Sequence, residues 1–213
     1  MSGFEDRKEY AKGQLDDRDI REVGKALERW LEEAKKADPS DYNAMTLSTV
    51  GRDGHPNARV VLLRSVAHTE DGPAVVFYTN YNSIKGQELG GHPHAAATFF
   101  WRELERQLRI RGRVMRLSEA ESDRYFASRP RESQIGAWAS QQSATAEDRA
   151  AMDAAWKKYD AQFPDDVPRP PHWGGYMLMV YAIEFWQGRP GRMHDRLVAE
   201  RTENGWSISR LQP

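Results

Sequence analysis

The sequence predicts an α+β protein with an antiparallel β-barrel at its centre. Two observations carry this. Short β-rich runs follow one another across hairpin-type turns, and helices decorate these runs without alternating regularly with them. That irregular order argues against a doubly wound sheet. The dinucleotide fingerprint and the Walker phosphate loop are also missing, as are a serine nucleophile elbow and an HExxH zinc helix.

The elements can be justified in chain order. Over Asp17–Lys36, Ile20, Val23, Leu27, Trp30, Leu31 and Ala34 recur at spacings of three and four, an amphipathic helix stopped near Pro39. From residue 45 the period shortens. Residues 45–50 and 57–66 flank the turn Arg52-Asp53-Gly54 and read as a hairpin. Residues 74–80 and 95–101 are further strands, with a short helix between Ser83 and Leu89. In Gln107–Leu117, apolar Leu108, Ile110, Gly112 and Val114 alternate with Gln107, Arg109, Arg111 and Arg113, so one strand face is rich in guanidinium groups. Ser118 and Glu121 fit a capping box for a helix that ends before Pro130. Thr145–Phe163 is another helix, and a proline-rich connector leads to strands over 176–186, 197–201 and 205–211. One domain over 1–213 is expected, with residues 1–40 as N-terminal segment and helix and 41–213 as barrel with inserted helices.

Composition narrows the function. Lys plus Arg is 31 and Asp plus Glu is 32, a balance unlike that of a dedicated nucleic-acid binder. The absence of cysteine excludes disulfides, thiolate catalysis and iron–sulfur clusters. The opening MSGFEDRKEY lacks a signal-peptide core, and no apolar run approaches the roughly 18 residues that span a bilayer. A cytoplasmic protein without membrane or nucleic-acid partners is expected.

Two stretches suggest chemistry. Residues 102–131 hold nine arginines and no lysine, suited either to oriented binding of phosphate or carboxylate or to a solvated face paired with Glu103, Glu105, Glu119 and Glu121. Arg192-Met-His194-Asp195-Arg196 gathers three potential cations and a carboxylate. If extended, it puts Arg192, His194 and Arg196 on one face, as an anion site or a surface ion-pair cluster. His92 and His94 read as a loop entering a strand, and no metal site is expected.

These residues carry a resemblance. Tyr125-Phe-Ala-Ser-Arg129-Pro-Arg131-Glu-Ser133-Gln-Ile-Gly-Ala-Trp138 resembles the signature of the pyridoxine (pyridoxamine) 5′-phosphate oxidases. So do Arg59–Arg64, Phe77–Asn80, Leu104–Gln107, Trp173–Gly175 and the tail from Glu184 to Leu211. The resemblance implies an antiparallel, Greek-key-like split β-barrel with FMN at a homodimer interface. It also implies oxidation of pyridoxamine or pyridoxine 5′-phosphate to pyridoxal 5′-phosphate, with O2 as acceptor. It puts FMN on Arg59, Val60, Val61, Leu62, Leu63, Arg64, Tyr78, Thr79, Ser83, Lys85, Gln107, Gln142, Ser143, Trp186 and Arg196. Substrate phosphate falls to Arg64, Tyr125, Arg129 and Ser133, while Arg192 and His194 cover the substrate ring as catalytic residues. Arg7 and Tyr10 resemble a segment that closes over the substrate.

Two positions depart from the family pattern. Arg64 stands where lysine is usual, and Ile84 where arginine is usual, which removes one guanidinium near the expected FMN phosphate. Two rival readings are a related split-barrel flavin oxidase with a phenazine-type substrate and a non-catalytic flavin or pyridoxal phosphate binder.

Overall fold

In the computed structural model, which describes residues 9–213, nine strands form one antiparallel sheet. The strands are β1 (Ala44–Val50), β2 (Pro56–Leu62), β3 (Ser65–Thr69), β4 (Gly72–Asn80), β5 (His94–Trp101), β6 (Arg106–Arg116), β7 (Trp173–Gln187), β8 (Asp195–Thr202) and β9 (Gly205–Arg210). Their order is β2-β1-β5-β6-β7-β4-β3, with β8 also on β7 and β9 on β8. The 15-residue β7 explains the branching. Along one edge it pairs with β6, while its other edge serves β4 over residues 173–179 and β8 over residues 182–187. The sheet therefore splits after one continuous strand, in agreement with the expected α+β split-barrel class.

The alternation in β6 holds: Leu108, Ile110 and Val114 are buried, while Arg109, Arg111 and Arg113 face outward. At Gly112 the pairing with β7 shifts register, and a Cβ there would lie 2.2 Å from the Met179 carbonyl oxygen. Glycine is required because the two backbones touch at this bulge. The main core joins Leu108, Ile110, Phe185 and Leu197 to helix α1 (Val23–Ala37). Trp30 of α1 meets Phe185 edge-on at 5.0 Å.

Several expected boundaries move. The single helix over Asp17–Lys36 divides into a 3-10 turn at Asp17–Ile20 and α1. Asp16 and Asp19 cap one another's backbone and close that turn before α1 begins. The strand expected over 57–66 also breaks. At Leu63 the chain leaves β1, and the Arg64 amide donates to the Val76 carbonyl of β4. Arg64 thus stands where the chain switches strand partners.

The remaining helices are α2 (Ile84–Gly91), α3 (Glu119–Ala127), α4 (Arg131–Ala139) and α5 (Arg149–Gln162). Ser118 and Glu121 form the expected box. Helix α5 starts four residues beyond Thr145 because Asp148 accepts from the Ala151 amide. Helix α4 was not expected as a separate element. A second core beneath it gathers Phe126, Ile135, Val167 and Trp173 against Tyr78, Tyr125 and Trp138. Among the described residues no helix is long and apolar enough to cross a membrane.

Candidate active site

Most of the sequence-predicted cofactor residues meet in one cavity of about 530 Å³. Arg59, Val60, Val61, Leu62 and Arg64 come from β2 and its end, and Tyr78 and Thr79 from β4. Lys85 comes from α2, and Gln142 and Ser143 from the loop after α4. Leu63 does not join them. Its side chain is buried in the main core because residues alternate along the strand. Ser83 lies behind the wall as the cap of α2, accepting from the Gly86 amide and donating to the Asn80 carbonyl.

That cap delivers Lys85, the second residue of α2, into the cavity. Its ammonium donates to Gln142 Oε1 at 2.8 Å and to Thr79 Oγ1 and Ser83 Oγ at 3.2 Å. Burial, then the neighbouring charge of Arg59, pushes its pKa down to about 8. Ser143 holds a left-handed backbone at φ 74°, a conformation strained for a residue with a Cβ. Ile84 lines the same cavity and is half exposed, so it fills no apolar gap.

Beside the cavity, aromatic rings form a ladder. Tyr78 stacks on Tyr125 with centroids 3.7 Å apart, and Trp173 lies parallel to both rings. The guanidinium of Arg129 sits 4.5 Å over the Trp173 ring, and its Nη1 is buried with no hydrogen-bond partner. Burial disfavours the charged form of Arg129, and the charge of Arg64 adds to the effect. Arg129 and Ser133 do not share one helix. Pro130 ends α3 and caps α4, leaving Arg129 in the link and Ser133 in the first turn of α4.

A second group lies at the far end of β7, and none of its members lines the first cavity. Gln107, Trp186 and Arg196 stand abreast on β6, β7 and β8. The His194 ring is 4.7 Å from Trp186, and Tyr10 packs edge-on against both. The close approach of Tyr10 requires Gly188, where a Cβ would fall 2.6 Å from the tyrosine ring. The His194 Nδ1 accepts from the Arg189 amide, which places the proton of the neutral ring on Nε2. Burial, then Arg192, holds its pKa below the usual histidine range, so the neutral ring persists at pH 7. Arg7 lies outside the described residues.

The segment 192–196 is not extended throughout. Pro190–Arg192 forms a 3-10 turn, Gly191 and Arg192 have φ near +60°, and β8 begins only at Asp195. The shared face expected for Arg192, His194 and Arg196 is therefore absent. Arg196 instead donates through Nε to Glu184 at 2.8 Å and through Nη1 to the Gln212 carbonyl. Asp195 accepts from the Leu15 amide and from Arg210, tying the N-terminal segment to β9.

The arginine-rich strand is paired, but with other carboxylates than expected. Arg106 meets Glu33, Arg109 meets Glu184 and Arg111 meets Glu200. Antiparallel pairing brings β7 beside β6, with β8 next to it, so sequence neighbours such as Glu103 and Glu119 lose the competition. Sequence reasoning also missed Glu88, half-buried behind Arg59, and Glu184, buried behind Arg196. Neither carries a sequence signal that separates it from a surface carboxylate.

Comparison with known proteins agrees along the chain. The family profile described as pyridoxamine 5′-phosphate oxidase matches residues 31–163. A second, the pyridoxine 5′-phosphate oxidase C-terminal dimerisation region, matches residues 173–213. The pyridoxine/pyridoxamine 5′-phosphate oxidase of Burkholderia multivorans is 51% identical over 208 residues, covering 96% of this chain and 95% of the relative. That of Paraburkholderia phymatum is 51% identical over 210 residues, 97% of each chain. Among solved structures, PhzG from Burkholderia lata 383 in complex with tetrahydrophenazine-1-carboxylic acid superposes with a TM-score of 0.86. It is 32% identical and covers 94% of this chain and 98% of its own. A pyridoxamine 5′-phosphate oxidase-related, FMN-binding protein of Nostoc punctiforme, 17% identical, shares the fold with a TM-score of 0.70 over 94% of this chain and 99% of its own.

Proposed function

Because this chain belongs to the pyridoxamine 5′-phosphate oxidase family, we propose that it oxidises pyridoxamine or pyridoxine 5′-phosphate to pyridoxal 5′-phosphate. In this reading O2 is the final acceptor, and the products are H2O2 and, from the amine, ammonia. The cavity fits FMN: Arg59 and Lys85 supply cations for its phosphate, and Val60, Val61 and Leu62 supply an apolar strand surface. FMN, when bound, supplies the hydride acceptor. The chain's own work is to bind and orient.

The observation that carries the substrate reading is Arg129. Its buried, unpartnered Nη1 over Trp173 is a desolvated donor beside Tyr125 and within the field of Arg64. Such a group is costly unless an anionic ligand completes it. Arg129, Tyr125, Ser133 and Arg64 would hold the substrate phosphate. His194, neutral with its proton on Nε2, would donate a hydrogen bond to the substrate, and Arg192 would orient the ring from the strained turn. Tyr10 would cover the site from the N-terminal side.

A homodimer accounts for the separation of the two groups. The Gln107, Trp186 and Arg196 end of one protomer would complete the cavity of the other, a reading supported by the dimerisation profile over residues 173–213. A second reading comes from PhzG, whose complex holds a carboxylated ligand; Arg129 could equally receive a carboxylate. Anaerobic addition of each ligand to the FMN-loaded protein decides between them. Bleaching of the flavin band by pyridoxamine 5′-phosphate is the expected result. Bleaching by tetrahydrophenazine-1-carboxylic acid alone would replace the proposal with the second reading, and bleaching by neither would leave a binding protein.

A further inference from the structure

Behind the cavity wall stands a carboxylate, Glu88, that does not line the cavity. We propose that Glu88 is a positioning residue for the phosphate end of the cofactor site, fixing the Arg59 guanidinium from behind and balancing its charge beside Lys85. This rests on the reading that the cavity takes the FMN phosphate.

The geometry is that of a built support. Glu88 lies one turn beyond Lys85 on α2, and its side chain is 11% exposed against 19% for Arg59. Its Oε2 accepts from Arg59 Nη2 at 3.0 Å and from the Thr49 hydroxyl, and its Oε1 accepts from Asn57 Nδ2 at 3.1 Å. Arg59 Nη1 donates in turn to the Leu47 carbonyl at 3.2 Å and to the same Thr49 hydroxyl. Both terminal nitrogens of Arg59 are therefore anchored, so the entropy of ordering a long side chain is spent on folding rather than on binding. Burial alone would raise the Glu88 carboxyl, yet its bonds to Thr49, Asn57 and Arg59 hold it below the usual carboxylate range. It is an anion at every pH where the enzyme would work.

The charge balance follows. Lys85 is faced by Thr79 from β4, Ser83 at the start of α2, Gln142 from the loop after α4, Arg59 from β2 and Glu88 from α2. Of the two charged neighbours, Arg59 disfavours the ammonium and Glu88 favours it. A support without electrostatic effect would leave the pH dependence of binding unchanged. Glu88 should not.

The test is FMN titration of apo-protein at pH 6.5 and pH 9, with wild type, Glu88→Gln, Glu88→Ala, Arg59→Ala and Lys85→Met. Glu88→Gln retains shape and an oxygen acceptor, and circular dichroism checks that it folds. It should bind FMN within about threefold of wild type at pH 6.5, where Lys85 is protonated in both. At pH 9 it should bind more weakly than wild type by clearly more than at pH 6.5, because without the Glu88 charge the amine loses its proton at lower pH. Glu88→Ala, which also releases Arg59, should weaken binding at both pH values. Equal losses for Glu88→Gln at the two pH values, or no loss at either, would overturn the proposal. If Arg59→Ala and Lys85→Met themselves leave FMN affinity intact, the cofactor reading fails instead.

Discussion

The arginines of β6 and Arg129 come from one stretch of sequence and meet opposite environments. Arg109 and Arg111 lie half exposed on the sheet face, each closed by a carboxylate from a neighbouring part of the sheet. Arg129 is drawn into the link between α3 and α4, stacked on Trp173, with one buried N–H unanswered. The paired arginines tie neighbouring parts of the sheet together. The unpaired one carries a standing desolvation cost that a ligand can relieve. Within this one stretch, the pairing of each arginine, and not arginine density, distinguishes the two environments.

Arg129→Ala strikes the site side of this contrast and should show the largest effect. Losing a charge-assisted contact to substrate phosphate costs on the order of 1.5–3 kcal/mol, so KM should rise roughly tenfold or more while FMN stays bound. An unchanged KM in steady-state kinetics would erase the distinction between the two regions.

Lys85 supplies a pH test of the same idea. Its ammonium is desolvated but answered by three oxygens, and its pKa is about 8. FMN affinity should fall as pH rises above that value, by up to about tenfold per unit, because the bound phosphate favours the ammonium that the free protein is losing. Stability of the apo-protein should move oppositely. Between pH 8 and the ordinary lysine pKa of 10.5 the unfolded chain holds a proton that the native one lacks, so Lys85 contributes a gain in stability as pH rises there. Affinity measured by fluorescence at pH 7, 8 and 9 that stays flat would remove Lys85 from the phosphate site.

Ile84→Arg would add a guanidinium on the cavity wall. Because Ile84 is half exposed, an arginine can reach the phosphate without being buried, and the contact is worth about 1 kcal/mol after screening. FMN should bind a few-fold more tightly at low salt, with the gain shrinking at high salt. Equal or weaker binding at low salt would show that the existing cations already saturate the phosphate.

The smallest effect should come from Arg111→Ala. Its pair with Glu200 is more than half exposed on both sides, and exposed pairs contribute about 0–1 kcal/mol. Urea denaturation should shift little, and KM should not move. A KM change as large as that of Arg129→Ala would place β6 within the site after all.

Much of this architecture was legible along the chain. The period-two pattern of β6 and the Ser118–Glu121 box depend on residues within a few positions of one another, so local rules suffice. Helix α4 was not legible as a separate element, because its start at Pro130 reads equally as the end of α3. The break at Leu63–Arg64 was hidden for another reason. The residues keep strand character throughout, and only the change of partner from β1 to β4 divides them.

The same division runs through the site. The sequence by itself determined which chemical groups are present: guanidinium, amine and imidazole side chains in motifs that resemble one oxidase family, with no thiol among them. Tertiary structure decided which of those groups are spent on one another. Glu33, Glu184 and Glu200 reach Arg106, Arg109 and Arg111 across strands or from α1, over separations of 73 to 89 residues. Glu88 reaches Arg59 from a helix 29 residues away. Ion pairing depends on distance in space and on desolvation, and neither is set by position along the chain. Only the fold could leave the Nη1 of Arg129 buried and without an answering group.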